Sequence, residues 1–412
     1  MPFETLGEDI LLRVLCFLRR VHGFDGLRDS QINKPLQHIT LTKQLWLFLV
    51  QDDNLRGALE LPPPNREKLK NHSTEQLIDF VKSAVNGNFS ERTTDYHISL
   101  GHMQRKYDSY FFPGARYFLL HCREQAGLHI YDVWSSRSVW TRGTPPRAHT
   151  QYQIDFAPGN PIVRILLVQA NPSGWSMQIE EVDLTTSISR QIFDLGFLAG
   201  GLGLSQGFAG DVFLWTMSQS SSDNVNFLLV NWRASTYVVL RRNSSLDECI
   251  KLIPGYIIST YHDSELFGQL VLIVTTLDAF STHWRPLTNS NFHDELQELS
   301  QSTAGLPITL KDILAHGGRS DPPIPVKLSV APSALCRDAY SICVEMEEAP
   351  VAGRGQSRTE LFYRFIPSSP ERECELRRTS STTGIPSPRV RVVWSGPSVT
   401  VSYRQYNTQP CA

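Results

Sequence analysis

The first feature of this 412-residue sequence is the lack of any long apolar run. No stretch approaches the roughly twenty apolar residues that a membrane-spanning helix needs. The N-terminus, Met-Pro-Phe-Glu-Thr, has no basic segment before an apolar one, so we do not expect a secretory signal. The formal net charge of −2 gives no overall attraction to nucleic acids or anionic membranes. We therefore expect neither a nucleic acid nor a membrane as a partner.

Cysteine pairs are also missing. The seven cysteines are scattered, and no two are spaced as Cys-x-x-Cys, so the sequence indicates neither a zinc finger nor a disulfide framework. Reduced thiols fit a protein of the cytosol or the nucleus, and we expect one or both of these locations.

Catalytic signatures are absent as well. The glycine-rich run 200–207 lacks the Lys-Ser/Thr of a phosphate-binding loop, and no helical pattern follows it. The twelve histidines include no metal-binding pair at helical spacing, and no Gly-x-Ser-x-Gly elbow occurs. We expect no catalytic residue, no metal site and no cofactor. An enzyme whose residues converge from distant strands is a third alternative, behind the two functions given below.

What the sequence does contain begins with an amphipathic segment at its N-terminus. Thr5 with Glu8 forms a capping-box pattern, which predicts the start of a helix. An apolar stripe at helical spacing follows. Its residues are Leu6, Ile10, Leu11, Val14, Leu15 and Leu18. A second apolar segment, 41–50, contains Leu45 and Trp46. Two amphipathic helices that pair into a small core would account for this pattern.

The order of these residues also resembles an F-box of the divergent fungal type. In that family, a Leu-Pro pair, an Ile/Leu-rich helix and a later Leu-Trp build a three-helix unit that docks on a Skp-type linker subunit. Here Leu6 opens the motif, Gly7 stands where the family has Pro, and Leu45-Trp46 closes it. The resemblance implies that the linker subunit would contact the six residues of the stripe together with Leu45 and Trp46.

A connector and a helix are predicted next. Three successive prolines, 62–64, favour an extended and stiff chain. Ser73 and Gln76 form a second capping-box pattern. The helix that follows has an apolar face, made by Leu77, Ile78, Val81 and Val85.

From about residue 96, short runs rich in Val, Ile, Phe, Tyr and Trp alternate with Gly, Pro, Ser and Asn, which predicts many short strands. An apolar run, an Asp or Asn and then small polar residues recur in steps of 51, 48 and 47 residues, at Asp132, Asp183, Asn231 and Asp278. This period suits a four-stranded antiparallel unit. The segments 112–119 and 128–134 together resemble a WD-type propeller blade. An irregular β-sandwich is the structural alternative.

We therefore predict an α+β multidomain chain. Its parts are an F-box-like helical domain (1–55), a Pro-rich connector with a linker helix (56–92), and a degenerate β-propeller of six or seven blades (93–412) with an irregular insertion at about 286–325. By resemblance, the chain would be a substrate adaptor of a Skp-cullin-F-box ubiquitin ligase. Its partners would be a Skp-type linker subunit, through it a cullin, and an unknown target protein held by the β domain. The alternative is a non-catalytic interaction scaffold whose N-terminal helices cap the β domain.

Overall fold

The computed structural model describes most of the chain after residue 41. The described residues are 42–52, 56, 61, 64, 66–86, 89–99, 107–112, 116–122, 127–143, 150–156, 160–171, 174–198, 204–218, 225–241, 249–263, 269–287, 308–315, 324–332, 339–347, 358–370, 372–383, 390–395 and 398–406. Strands dominate this part of the chain, which is mostly β.

Three helices precede the strands in the described residues. They are α1 (Lys43–Gln51), α2 (Arg66–Lys70) and α3 (Thr74–Asn86). The capping box at the start of α3 is confirmed, because the amide of Ser73 donates to Gln76 Oε1 at 2.8 Å and the amide of Gln76 donates to Ser73 Oγ at 3.2 Å. Helix α2 was not predicted.

The three helices share one hydrophobic core. Trp46 and Val50 of α1 pack with Leu77 and Val81 of α3, and Leu69 of α2 completes the cluster. Helix α3 is therefore part of a core that it shares with α1 and α2. Helix α3 also contacts the last strand of the chain.

The strands form six antiparallel sheets in the described residues, which we number in chain order. Sheet 1 contains β2 (Tyr107–Phe111), β3 (Tyr117–Cys122), β4 (Gly127–Asp132) and β5 (Arg137–Gly143). Sheet 2 contains β6 (Thr150–Asp155), β7 (Ile162–Asn171), β8 (Gly174–Asp183) and β9 (Ser189–Leu198). Sheet 3 contains β10 (Leu204–Ala209), β11 (Val212–Ser218), β12 (Val225–Asn231), β13 (Thr236–Arg241) and a short fifth strand, β17 (Arg285–Pro286).

Sheets 4 and 5 also have four strands each, and sheet 6 pairs the first strand of the β region with its last two. Sheet 4 contains β14 (Cys249–Ile253), β15 (Tyr256–Asp263), β16 (Gln269–Thr276) and β18 (Leu310–Ala315). Sheet 5 contains β19 (Ile324–Pro332), β20 (Tyr340–Glu347), β21 (Arg358–Ile366) and β22 (Glu375–Thr383). Sheet 6 contains β1 (Phe89–Ser99), β24 (Ser398–Tyr406) and β23 (Val390–Ser395), in that order.

The sheets are buried on both faces where neighbouring sheets cover them. In β3, Phe118 and Leu120 pack against sheet 6, whereas Tyr117 and Leu119 pack against sheet 2. Successive side chains of a strand point to opposite faces, so a strand covered on both faces must be apolar throughout. This explains why strands such as β3 read as continuous apolar runs.

Apolar clusters join the sheets in the order 6, 1, 2, 3, 4 and 5. The first strands of sheets 2, 3, 4 and 5 lie beside one another. Successive four-stranded sheets that pack face to face, with their first strands adjacent, form a propeller-like arrangement. The sandwich alternative is wrong, because a sandwich has two sheets packed on each other. No cluster of the residues described above joins sheet 5 to sheet 6.

The adjacent first strands touch closely. On β6, Gln153 Nε2 donates to the carbonyl of Ser205 at 2.9 Å, and Gln151 Oε1 accepts from the backbone amide of Ser205 at the same distance. On β10, Gly207 lies directly against Leu252 of the next sheet. This glycine ends the glycine-rich run 200–207 of the sequence, and the structure places it in a strand.

Gly207→Ala is expected to destabilise the β domain by about 1–3 kcal/mol, the usual cost of overpacking. A Cβ atom there would lie 2.9 Å from Leu252 Cβ and 3.1 Å from the Leu252 amide nitrogen. The matched control is Gly143→Ala on β5, where a Cβ atom would meet nothing within 4 Å. Urea unfolding of both variants measures the difference. Equal stabilities would show that the two strands do not approach closely.

The segment 286–325 is not irregular throughout. Residues 285–286 form β17, which pairs with β13 of sheet 3, and Leu310–Ala315 form β18, the fourth strand of sheet 4. Strand β19 then begins at Ile324. The chain thus leaves sheet 4 after its third strand, lies along sheet 3, and returns to complete sheet 4.

Candidate functional site

The repeated Asp or Asn marks the same turn in three successive sheets. Asp132, Asp183 and Asn231 each end the third strand, and each side-chain oxygen accepts hydrogen bonds from the turn that follows. The fourth residue after each of them is a serine with positive φ, at 55° for Ser136, 63° for Ser187 and 51° for Ser235. The predicted period is therefore confirmed in these sheets.

Asp183 shows how the turn is stabilised, and Asp278 shows where the repeated turn ends. Hydrogen bonds from the side chain of Thr185 and from its amide lower the pKa of Asp183 to about 2, so this carboxylate stays ionised while it holds its turn. Asp278 does not repeat the turn, because it lies in a 3₁₀ helix, Leu277–Phe280. The chain departs from the pattern at the start of the excursion toward sheet 3.

A polar chain of contacts joins sheets 2 and 3 at the end that carries these turns. Arg164 Nη1 lies 3.6 Å from Asp155 Oδ2, which also accepts the amide of Gly210 at 3.0 Å. Burial raises the pKa of Asp155, and the Gly210 hydrogen bond and the charge of Arg164 oppose that shift. Since Gly210 lies in the first turn of sheet 3, Asp155 of sheet 2 helps to fix the position of that turn.

Trp232 lies at the centre of this end of sheet 3. Its indole N–H donates to the carbonyl of Gly210 at 3.0 Å, and its ring is buried in the core between sheets 2 and 3. The guanidinium carbons of Arg164 and Arg233 lie 5.9 Å and 5.4 Å from the ring centre. Arg233 also pairs with Asp211 at 3.3 Å. Cation–π contacts and hydrogen bonds therefore fix the ring in one orientation.

An open groove of about 680 Å³ runs beside Trp232, between sheets 2 and 3. One wall is strand β9, the other is the third turn of sheet 3, and Leu287 closes one end. The residues that line it are Ile192, Phe193, Asp194, Leu195, Trp232, Arg233, Ser235 and Leu287. Its lining combines apolar side chains with an aspartate, a serine and one exposed arginine, a mixture typical of surfaces that bind protein segments. We call this feature the rim groove.

The structure places only two of the residues predicted to bind a linker subunit. Leu45 and Trp46 lie on α1 and are buried, 3% and 7% exposed, and Trp46 belongs to the helical core. Phe48, on the same helix, is 49% exposed. The predicted stripe lies outside the described residues; it comprises Leu6, Ile10, Leu11, Val14, Leu15 and Leu18.

Among the residues that the structure describes, no group of three or more His, Cys, Asp or Glu side chains could hold a metal ion. Within those ranges, no helix is long and apolar enough to cross a membrane.

Comparison with known proteins adds only distant similarities of shape. No family model matches the sequence, and no curated protein matches it. The chain is similar to the WD40 domain of SCAP from fission yeast, with 10% identity, a TM-score of 0.31, and 75% of this chain and 84% of that one covered. It is also similar to the WD40 domain of coronin from Toxoplasma gondii, with 10% identity, a TM-score of 0.36, and coverage of 72% and 68%.

A third similar structure is the β-propeller domain of Cps50 (Swd1) from Myceliophteria thermophila. It shares 7% identity at a TM-score of 0.35, with 74% of this chain and 99% of that one covered. At such scores, function has to be inferred from this chain's own residues.

Sequence reasoning missed the rim groove. The signal for Trp232 was present, because this residue follows Asn231 of the repeated pattern. The partner wall had no signal, since Ile192-Phe-Asp-Leu195 reads as an ordinary strand. Trp232 is one of several tryptophans that the β domain buries, with Trp140, Trp175 and Trp215.

Proposed function

We propose that this chain is a non-catalytic protein-binding subunit, and specifically a substrate adaptor of a Skp-cullin-F-box ubiquitin ligase in the cytosol or nucleus. The N-terminal helices would dock a Skp-type linker subunit, and through it a cullin. The β domain, as a six-bladed propeller, would hold the target protein. Such an adaptor makes and breaks no bonds; it raises the effective concentration of the target near the conjugating enzyme.

The observation that carries the proposal is the way the helices are joined to the β domain. The three helices share a core, and α3 contacts β24 of sheet 6. Arg56 is buried, donates from Nη1 to the carbonyl of Val50 at 2.6 Å, and acts electrostatically on Tyr96 of β1. A partner bound to the helices would therefore be held at a defined position relative to the β domain, as an adaptor requires.

A second candidate is the scaffold whose helices cap the β domain. The burial of Leu45 and Trp46 favours it, because these side chains serve the chain's own core. The two candidates differ in the predicted stripe, which an adaptor leaves accessible and a cap does not.

The test is binding of the full chain to a purified Skp-type linker subunit. We expect Leu11→Asp, on the predicted stripe, to weaken binding at least tenfold, because a carboxylate would enter an apolar contact. Arg13→Asp is the matched control, since Arg13 falls off the stripe of the same predicted helix. Isothermal titration calorimetry measures both. No binding at micromolar concentrations, or equal binding by the two variants, would contradict the adaptor role and favour the scaffold.

Trp46→Ala requires a separate measurement. Because Trp46 is 7% exposed in the helical core, this variant is expected to lose about 3–5 kcal/mol of that core's stability, whatever it does to linker binding. Thermal unfolding, followed by circular dichroism at 222 nm, distinguishes the loss of the helices from the loss of a docking contact.

A further inference from the structure

We infer that the rim groove binds an extended segment of a partner protein, which adds as a strand to the outer edge of β9. The inference rests on the proposed role of the β domain in holding a target, and it names the class of segment that is held. The segment would place an apolar side chain against Phe193, beside Trp232, and a carboxylate at Arg233.

The first argument comes from the position of β9. It is the last strand of sheet 2 in the order β6-β7-β8-β9, and no strand of the described chain pairs with its outer side. The amides and carbonyls on an outer edge alternate in direction, and those that point outward can pair with an added chain. Main-chain pairing of this kind is a common mode of peptide recognition.

The second argument comes from which residues line the groove. Phe193, Asp194 and Leu195 follow one another on β9, and all three line it. Alternate side chains of a strand point to opposite faces, and the pairing of β9 with β8 shifts register beside Ile192. Successive residues of β9 therefore border the groove with backbone as well as side-chain atoms. The backbone of β9 is therefore within reach of anything that lies in the groove.

The third argument is that this chain already uses the equivalent edge of the neighbouring sheet. On sheet 3, the outer strand β13 is paired by β17, with Thr236 opposite Pro286 and Tyr237 opposite Arg285. The pairing occurs next to the third turn of sheet 3, and the amide of Leu287 then donates to the carbonyl of Ser235 at 2.7 Å. An extended segment laid along an outer strand is thus a contact that this fold accommodates, and sheet 2 presents the same edge without an internal occupant among the described residues.

The chemistry of the groove defines the segment. Ile192, Phe193 and Leu287 are partly buried against the core that contains Trp232, so they present apolar surface to the groove. The side chain of Arg233 is 62% exposed and uses its Nε for Asp211, so its terminal nitrogens can reach a carboxylate. We therefore expect apolar residues at alternate positions and an Asp or Glu beside one of them.

The probe is a display library of random twelve-residue peptides, selected on the full chain. We expect enriched peptides with alternating apolar residues and an acidic residue. Their affinity should fall at least tenfold with Arg233→Glu, and by as much when alternate peptide amides are N-methylated, because methylation removes the strand pairing. Arg190→Glu is the matched control; it lies on β9, is 73% exposed and does not line the groove. Fluorescence anisotropy measures each affinity.

The inference is overturned if no peptide is enriched. It is also overturned if the enriched peptides keep their affinity for Arg233→Glu, or if they keep it when either set of alternate amides is N-methylated. The linker titration on the same preparation separates this failure from that of the adaptor role. A chain that binds the linker subunit but no such peptide overturns only the groove inference, whereas the reverse result overturns only the adaptor.

Discussion

Val401→Asp is expected to unfold the β domain. Val401 is fully buried on β24, where it pairs with Tyr96 of β1 and packs against sheet 1. An unpaired carboxylate in this core adds a desolvation cost of several kcal/mol to the lost apolar contacts. The sum approaches the roughly 5–15 kcal/mol that holds a typical domain folded.

The control for Val401→Asp is its neighbour, Thr400→Asp. Thr400 points to the other face of the strand, is half-buried, and its hydroxyl lies 3.0 Å from His97 Nδ1. We expect this change to cost about 1 kcal/mol or less. Urea unfolding, followed by tryptophan fluorescence, compares the two. Equal stabilities would contradict the pairing of β24 with β1.

Arg142→Ala is expected to cost about 3–5 kcal/mol, the usual effect of removing one partner from a buried ion pair. Arg142 on β5 pairs with Glu180 on β8, and it also donates to Gln178. Glu180 is 7% exposed and accepts the indole N–H of Trp140 at 3.1 Å. Without Arg142, its negative charge would be left between sheets 1 and 2 with only the tryptophan to hold it.

A double-mutant cycle separates the pair from its surroundings. Adding Glu180→Gln to Arg142→Ala removes the stranded charge, so we expect the double variant to recover part of the lost stability. The control is Arg190→Ala, which breaks the pair between Arg190 on β9 and Glu181 on β8. Arg190 is 73% exposed, so this loss should be below about 1 kcal/mol. A cycle with no coupling energy would show that the two sheets are held by apolar contacts alone.

The repeat was predictable from the sequence because its signal is local. An Asp or Asn that caps its own turn needs only the next few residues, so Asp132, Asp183 and Asn231 marked successive sheets at the right spacing. The capping box at Ser73 was predictable for the same reason. The β part of the fold was therefore predictable from turn patterns that are each local in sequence and recur along the chain.

The remaining features depend on contacts that are distant in sequence. The return of the chain to sheet 3 through Arg285–Pro286 has no local signal, because only two residues pair. The rim groove combines β9 with a turn some forty residues later, and each half alone reads as ordinary structure. The burial of Trp46 by α3 likewise depends on a helix beyond the proline connector. The F-box resemblance implies that Trp46 contacts a linker subunit, whereas its burial is decided by the helices of this chain that pack around it.

Sheet 6 has a consequence for the synthesis of the protein. Its strand β1 is made early and cannot pair until β24 leaves the ribosome; His97 and Thr400, which meet across these strands, are 303 residues apart. At about 5–20 residues per second, translation of that interval takes roughly 15–60 s. During that time β1 is an unpaired strand with Ile98 and Tyr96 on it, so the nascent chain should depend on chaperones until its last strand emerges.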